Sequence, residues 1–281
     1  MSEVMASRTK ALPQVETPNS TPLHAFGALL LRDLDVLRKN LIEFMLRTVM
    51  QPLLFVFVFT YVFPKIGQSV GGKKGAADFS SLLVAGVIAI ACIFQGIQAV
   101  ALPLVQEFGY SREIEDRVMA PLPVWAVALQ KLLAGAIQGL IAAAIVFPLA
   151  VFIPVTKVVL HVDWLRLVTL LPLAALAGAA LGLVIGTRVS PRRVPLIFGV
   201  VVIPITFLGA TYYSWAALSP IPWLKDVVLI NPLVYMSEGM RASLIPGLPH
   251  MPLWGIYTGL IVVTALLGWF GISGFRNRVV S

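Results

Sequence analysis

Charge is what this sequence has least of. Of its 281 residues only 12% are Asp, Glu, Lys or Arg, roughly half the about 25% of a soluble globular domain. At this length a soluble chain forms one large domain or two smaller ones. Neither could hide 58% hydrophobic residues at a mean hydropathy of +0.91. A single cysteine, Cys92, excludes an intrachain disulfide and with it a disulfide scaffold. Catalytic constellations are missing too. His24, His161 and His250 stand far apart without metal-ligand spacing, and there is neither H-E-x-x-H nor G-x-S-x-G. No carboxylate pair lies inside an apolar run, which removes an intramembrane protease or proton relay. The first 20 residues are polar and include Arg8, Lys10 and Glu16, so no cleaved signal peptide is expected. Collagen, coiled coil and disorder fail on the same composition. A polytopic membrane protein remains.

What is present is a series of long apolar runs. A span needs about 20 such residues, and six segments are expected to qualify: Arg47–Phe63, Ser81–Val105, Val124–Ile153, Leu165–Ile185, Val194–Ala210 and Leu253–Ile272. Helices are the economical solution, because a backbone in lipid must satisfy its own hydrogen bonds. Six spans place both termini on one side. With the termini in the cytoplasm, 14 of the Lys and Arg residues fall on that side and 7 on the other. The positive-inside rule therefore orients the termini inward. The net charge of +8 finds its explanation there, and no nucleic-acid partner is implied.

Thr21-Pro22 reads as a helix start. Beyond it Phe26, Leu29, Leu30, Leu34, Leu37 and Leu41 keep helical spacing, with Arg32, Asp33, Arg38 and Lys39 on the other side. Residues 22–41 are thus expected to form an amphipathic interfacial helix, behind a disordered cytoplasmic tail over 1–21. Gly135, Gly139 and Ala143, then Gly178, Gly182 and Gly186, form small-residue ladders that let helices pack closely. Gln51, Gln95, Gln98 and Gln138 are the intramembrane polar groups: helix-to-helix hydrogen bonding is their ordinary role, and lining a translocation path is the alternative. The string Gly67–Lys74 imitates a phosphate loop, but Lys74 stands where a magnesium-binding hydroxyl is needed. No ATPase site follows from it.

Two segments carry more information. Between the second and third runs, Arg112–Met119 is expected to be a short charged helix stopped by Pro121, with Arg112, Glu113, Glu115, Asp116 and Arg117 around an apolar stripe of Ile114, Val118 and Met119. A solvated loop is the plain reading; a docking surface for a cytoplasmic partner is the sharper one. Thr211–Pro252 contains six prolines and four charges, too many for two crossings. Two half-helices, Trp223–Ile230 and Leu233–Leu244, are expected on either side of Asn231-Pro232. Glu238 and Arg241 on the second can pair three residues apart, easing a position near lipid.

This layout resembles the membrane subunit of type-2 ABC exporters, across nearly the whole chain from Thr21. The stretch Leu229-Ile-Asn-Pro-Leu-Val-Tyr-Met-Ser-Glu-Gly-Met-Arg241 is its most specific part, and Arg112-Glu113…Ala120-Pro-Leu-Pro123 resembles the family's coupling helix. Size and shape are closest to the daunorubicin-resistance and nodulation-factor permeases; polysaccharide and teichoic-acid permeases share the architecture. The resemblance implies an all-α domain over 42–281 with six transmembrane helices in a bacterial inner membrane. It implies two copies of an ATP-binding subunit, holding the ATP and magnesium, docked on Arg112–Arg117 and on the interfacial helix. A second, identical permease chain is implied as well. Trp223, Asn231, Pro232, Glu238 and Arg241 would belong to an outer lid. The cargo would be hydrophobic or amphipathic: a drug-like molecule, a lipid or a lipid-linked glycan. A non-transporting assembly protein would show the same spans.

Overall fold

The computed structural model describes residues 22–67, 72–111, 122–155 and 158–280. The tail over 1–21, residues 68–71 of the glycine-rich loop and the charged segment Arg112–Met119 lie outside the described residues. Among the described residues the chain is helical throughout, without a strand. Helix α1 (Pro22–Lys39) leads through Asn40 into α2 (Leu41–Val56), which continues as a π-helical turn, Phe57–Val62, and a last turn, Phe63–Lys65. Then follow α3 (Gly72–Gln106), α4 (Val124–Phe152), α5 (Trp164–Arg188), α6 (Pro222–Val227), α7 (Pro232–Leu244) and α8 (Leu253–Val280).

Five helical stretches are long and apolar enough to cross a membrane among the described residues: Leu41–Lys65, Asp78–Gly109, Val124–Phe152, Trp164–Arg188 and Leu253–Val279. The fifth expected span, Val194–Ala210, is built differently. It consists of a four-residue helix Val194–Ile197, a π-helical turn Phe198–Val202 and a five-residue helix Ile203–Phe207. Pro204 brings no N–H to the ladder and Gly199 adds backbone freedom, so continuous α-helix does not form. The last span, expected to stop at Ile272, runs on to Val280. Its extra turns have an anchor: Arg278 donates to the carbonyls of Gly186, Thr187 and Val189 at 3.1–3.2 Å and so caps the end of α5.

Helix α3 is the axis. It is apolar all round, as a helix enclosed by others must be, and 83% of its most apolar window is buried, against 22% in α2 and α8. Leu83, Ile90, Ile93, Ile97 and Leu104 are wholly enclosed. Lipid tails are as apolar as leucine, so close packing rather than water exclusion holds such helices together. The glycine ladders supply it: a Cβ on Gly182 would sit 2.9 Å from the Ile97 Cα, and one on Gly178 3.0 Å from the Ile93 Cα. Helices α2 and α8 keep broad apolar faces outward, with Leu46, Met50 and Leu54 on one and Ile261, Trp269 and Phe270 on the other.

The bundle has two distinct ends. At the basic end the starts of α2 and α4 meet α1 beside the close of α3, and the end of α8 reaches the end of α5. At the cap end α7 closes over the beginnings of α5 and α8. Local chemistry sets the helix starts there. Asp163 accepts the Arg166 N–H at 3.2 Å to begin α5, and Asn231 accepts the Leu233 N–H at 2.9 Å with Pro232 in the first turn of α7.

Candidate functional site

The cap end is organised by one buried ion pair. Glu238 and Arg241 lie three apart on α7 and bond to each other, with neither side chain exposed. They had been expected near lipid; instead the protein surrounds them completely, because almost all of α7 is buried. Each then gathers backbone from elsewhere. Glu238 accepts the Trp215 N–H at 2.7 Å and the Met251 N–H at 2.6 Å, while Arg241 donates to the carbonyls of Ala210 at 2.9 Å and Tyr213 at 3.2 Å. Burial lowers the Arg241 pKa from its ordinary value, and Glu238 pulls it back up. Ala210 adopts φ +53° to present its carbonyl, a left-handed conformation that costs about 1–2 kcal/mol without glycine. The amide of Asn231 donates to the Ile205 carbonyl at 2.7 Å, so the run 194–207 is also tied to α7. Pro232 is buried beneath this cap; Trp223 remains 67% exposed on α6.

A polar seam crosses the apolar bundle. Thr48 on α2 donates to Gln95 on α3 at 3.0 Å, and Gln95 donates to Gln138 on α4 at 3.4 Å. Three helices are joined by neutral groups, each bond contributing about 0.6 to 1.7 kcal/mol within a membrane. Gln51 and Gln98 border the same seam, with Gln95, around a small void of about 20 Å³. Gln98 also lines a larger cavity of about 370 Å³, walled by Asn40, Glu43, Arg47, Gln106 and Gln138. The four glutamines named from the sequence therefore share one face between α2, α3 and α4.

At the basic end Lys131, 4% exposed on α4, pairs with Glu107 at 2.8 Å and with Asp33 of α1 at 3.5 Å. The neighbouring Gln130 also donates to Asp33, at 3.0 Å. Glu107 opens the π-helical turn Glu107–Ser111 that leads toward the charged segment. The next residue, Phe108, packs edge-on against Phe275 and lies beneath the Arg278 guanidinium, 4.6 Å from the ring centre. At Gly109 a Cβ would strike Pro191 at 2.3 Å. Three consecutive residues thus contact three different elements just before Arg112, Glu113, Glu115, Asp116 and Arg117, which themselves lie outside the described residues. Of the interfacial set, Asp33 turns inward to this cluster, while Arg32, Arg38 and Lys39 lie on the exposed side of α1.

Sequence reasoning missed Lys131 and Glu107 as a pair. A lysine two turns inside a long apolar run was the available signal, since such a charge needs a partner. The backbone ties of Glu238 left no signal, because carbonyls and amides are not spelled out by residue type.

Residues 24–245 match the ABC-2 type transporter family. Together with the spanning bundle, that coverage identifies the chain as a member of the ABC-2 type transporters, a multi-pass membrane permease class. Among individual proteins it is similar to the inner membrane transport permease YadH of Escherichia coli K12, 27% identical over 238 residues, which cover 82% of this chain and 89% of that protein. The permease of the same name from Shigella flexneri shows the same identity and coverage.

Proposed function

We propose that this chain is the permease subunit of an ATP-driven exporter in a bacterial inner membrane, moving a hydrophobic or amphipathic cargo outward. The observation that carries the reading is a family match over residues 24–245 in a bundle whose one polar seam runs through Thr48, Gln95 and Gln138. ATP and magnesium belong to two copies of a separate ATP-binding subunit. Those copies dock on Arg112–Arg117 and on α1, and the three contacts of Glu107, Phe108 and Gly109 carry their movement into α4, α8 and the turn Pro191–Arg193. A second, identical permease chain encloses the path, covering the outward apolar face of α2.

Six crossings are part of this reading. The run 194–207 starts beside Pro191 and Gly109 at the basic end, and Phe207 reaches the ring of Tyr212 at the cap end, 6.1 Å away. That run connects both ends although it is only about 20 Å long, so it makes the sixth crossing in a locally thinned membrane. Both termini then lie in the cytoplasm with the arginine-rich turn Pro191–Arg193, and α6 and α7 form the outer lid as re-entrant half-helices.

The test is enzymatic. Purified alone in lipid, the chain should show no magnesium-dependent ATP hydrolysis; joined with an ATP-binding subunit it should modulate that subunit's turnover. Glu115→Lys with Asp116→Lys should uncouple hydrolysis from transport while insertion stays intact. ATPase activity that survives removal of every partner rejects the reading.

A further inference from the structure

Resting on the permease reading, we propose that the cavity between α1, α2 and α3 is the entry site for the polar head of an amphipathic cargo, and that it selects an uncharged, hydroxyl- or amide-bearing head. Its volume of about 370 Å³ falls in the range of small-molecule sites, about 300–1,000 Å³. Its polar wall carries four amides, Asn40, Gln98, Gln106 and Gln138, beside the charged Asp33, Glu43 and Arg47, which are of both signs. Primary amides both donate and accept, which suits hydroxyls and amides, and they carry no charge to offset an ionic head.

Three observations support a ligand there. The Gln98 and Gln106 side chains make no hydrogen bond to another described residue, although Gln98 is half-buried in the middle of a spanning helix. An amide at that depth needs a partner, and Gln138 has only its oxygen engaged, by Gln95. Second, the charges at the rim oppose one another. Glu43 and Arg47, of opposite sign, stand four apart on α2 and line the same cavity, and Asp33 is held by Lys131 and Gln130. Third, the cavity opens where the interfacial α1 meets the spanning α2 and runs inward to Gln98 and Gln138. On its other side α2 presents an almost wholly apolar groove of about 520 Å³ against α4, lined by Met45, Leu46, Val49, Met50 and Ile145. A molecule arriving from the membrane thus finds an amide-lined place for its head and an apolar flank of α2 for its chain.

A protection experiment tests this on the full chain alone in lipid nanodiscs, so its result does not depend on the ATP-binding subunit. Gln98→Cys and, separately, Gln106→Cys are labelled with a maleimide. Four probes with one alkyl chain and different heads compete: maltoside, a neutral amide, sulfate and trimethylammonium. Arg38→Cys on the exposed side of α1 controls for general effects on the membrane surface. Native Cys92 is fully buried, so its labelling reports any variant that has lost its fold. The maltoside and amide probes should slow labelling at both positions about tenfold when present at about ten times their Kd, with Arg38→Cys unchanged. The charged probes should slow it less than twofold by the same relation. Equal protection by all four heads, stronger protection by a charged head, or none from any probe overturns the proposal. Loss of ATPase coupling with these protections intact would instead count against the permease reading.

Discussion

The two ends of the bundle each bury a charged group, and they use it in opposite ways. At the cap end the pair is local: Glu238 and Arg241 are neighbours on one helix, and their remaining capacity goes to backbone groups of Ala210, Tyr213, Trp215 and Met251. At the basic end the partners are side chains on separate elements: Lys131 on α4, Asp33 on α1 and Glu107 at the close of α3. A pair satisfied by backbone fixes loops to one helix. A cluster shared among elements holds those elements together only while all of them keep position. The cap is therefore pinned and the basic end is yoked.

Substitutions sharpen this contrast, beginning with the largest effect. Arg241→Met should destabilise the chain by about 3–5 kcal/mol, the cost of leaving a buried carboxylate unpaired, read as a fall in thermal midpoint in detergent. Glu238→Gln combined with Arg241→Met should recover part of that loss, since no charge then remains uncompensated. If the double variant is worse than the single one, the pair is not what pins the cap. Lys131→Met should cost about 3 kcal/mol, the low end of the same range, because it leaves Glu107 at 7% exposure without its lysine while Asp33 at 14% can reach water. It should also free α1, seen as faster proteolysis between α1 and α2; unchanged cleavage would show that the yoke is not ionic. Gln95→Leu removes neutral bonds to Thr48 and Gln138 and should cost about 1–2 kcal/mol, measured by the same unfolding assay. Trp223→Ala, on an exposed face of α6, should stay within about 0.5 kcal/mol. A larger effect would mean that Trp223 packs against something in the membrane.

The helical architecture was legible because its signals are written in single residues. Asn231-Pro232 announced the start of α7, and the expected helix bounds Trp223–Ile230 and Leu233–Leu244 agree with Pro222–Val227, its continuation Val228–Ile230, and Pro232–Leu244. The glycine ladders at Gly178 and Gly182 foretold a close backbone approach between α3 and α5. Where residue type did not reach, the deciding partner was remote or was backbone. Val194–Ala210 is apolar enough for a span, but Gly199 and Pro204 break its ladder, and its place in the bundle depends on Asn231 reaching Ile205 from 26 residues away. Glu238 reads as a charge needing one partner, yet it serves three. Nothing in residue type shows that its second oxygen would meet the Met251 amide.

The depth of the glycine contacts between α3 and α5 has a mechanical consequence. Backbones meeting at 2.9–3.0 Å from where a Cβ would stand leave no clearance for one helix to slide past the other. These two helices therefore behave as a single strut, and α4 joins it where a Cβ on Gly139 would stand 3.0 Å from the Cys92 carbonyl. Bending has to concentrate where the hydrogen-bond ladder is already loosened, in the π-helical turns Phe57–Val62 and Phe198–Val202. Both belong to segments flanking the strut. A force applied at the basic end would load the strut along its length and be released as rotation at those two hinges.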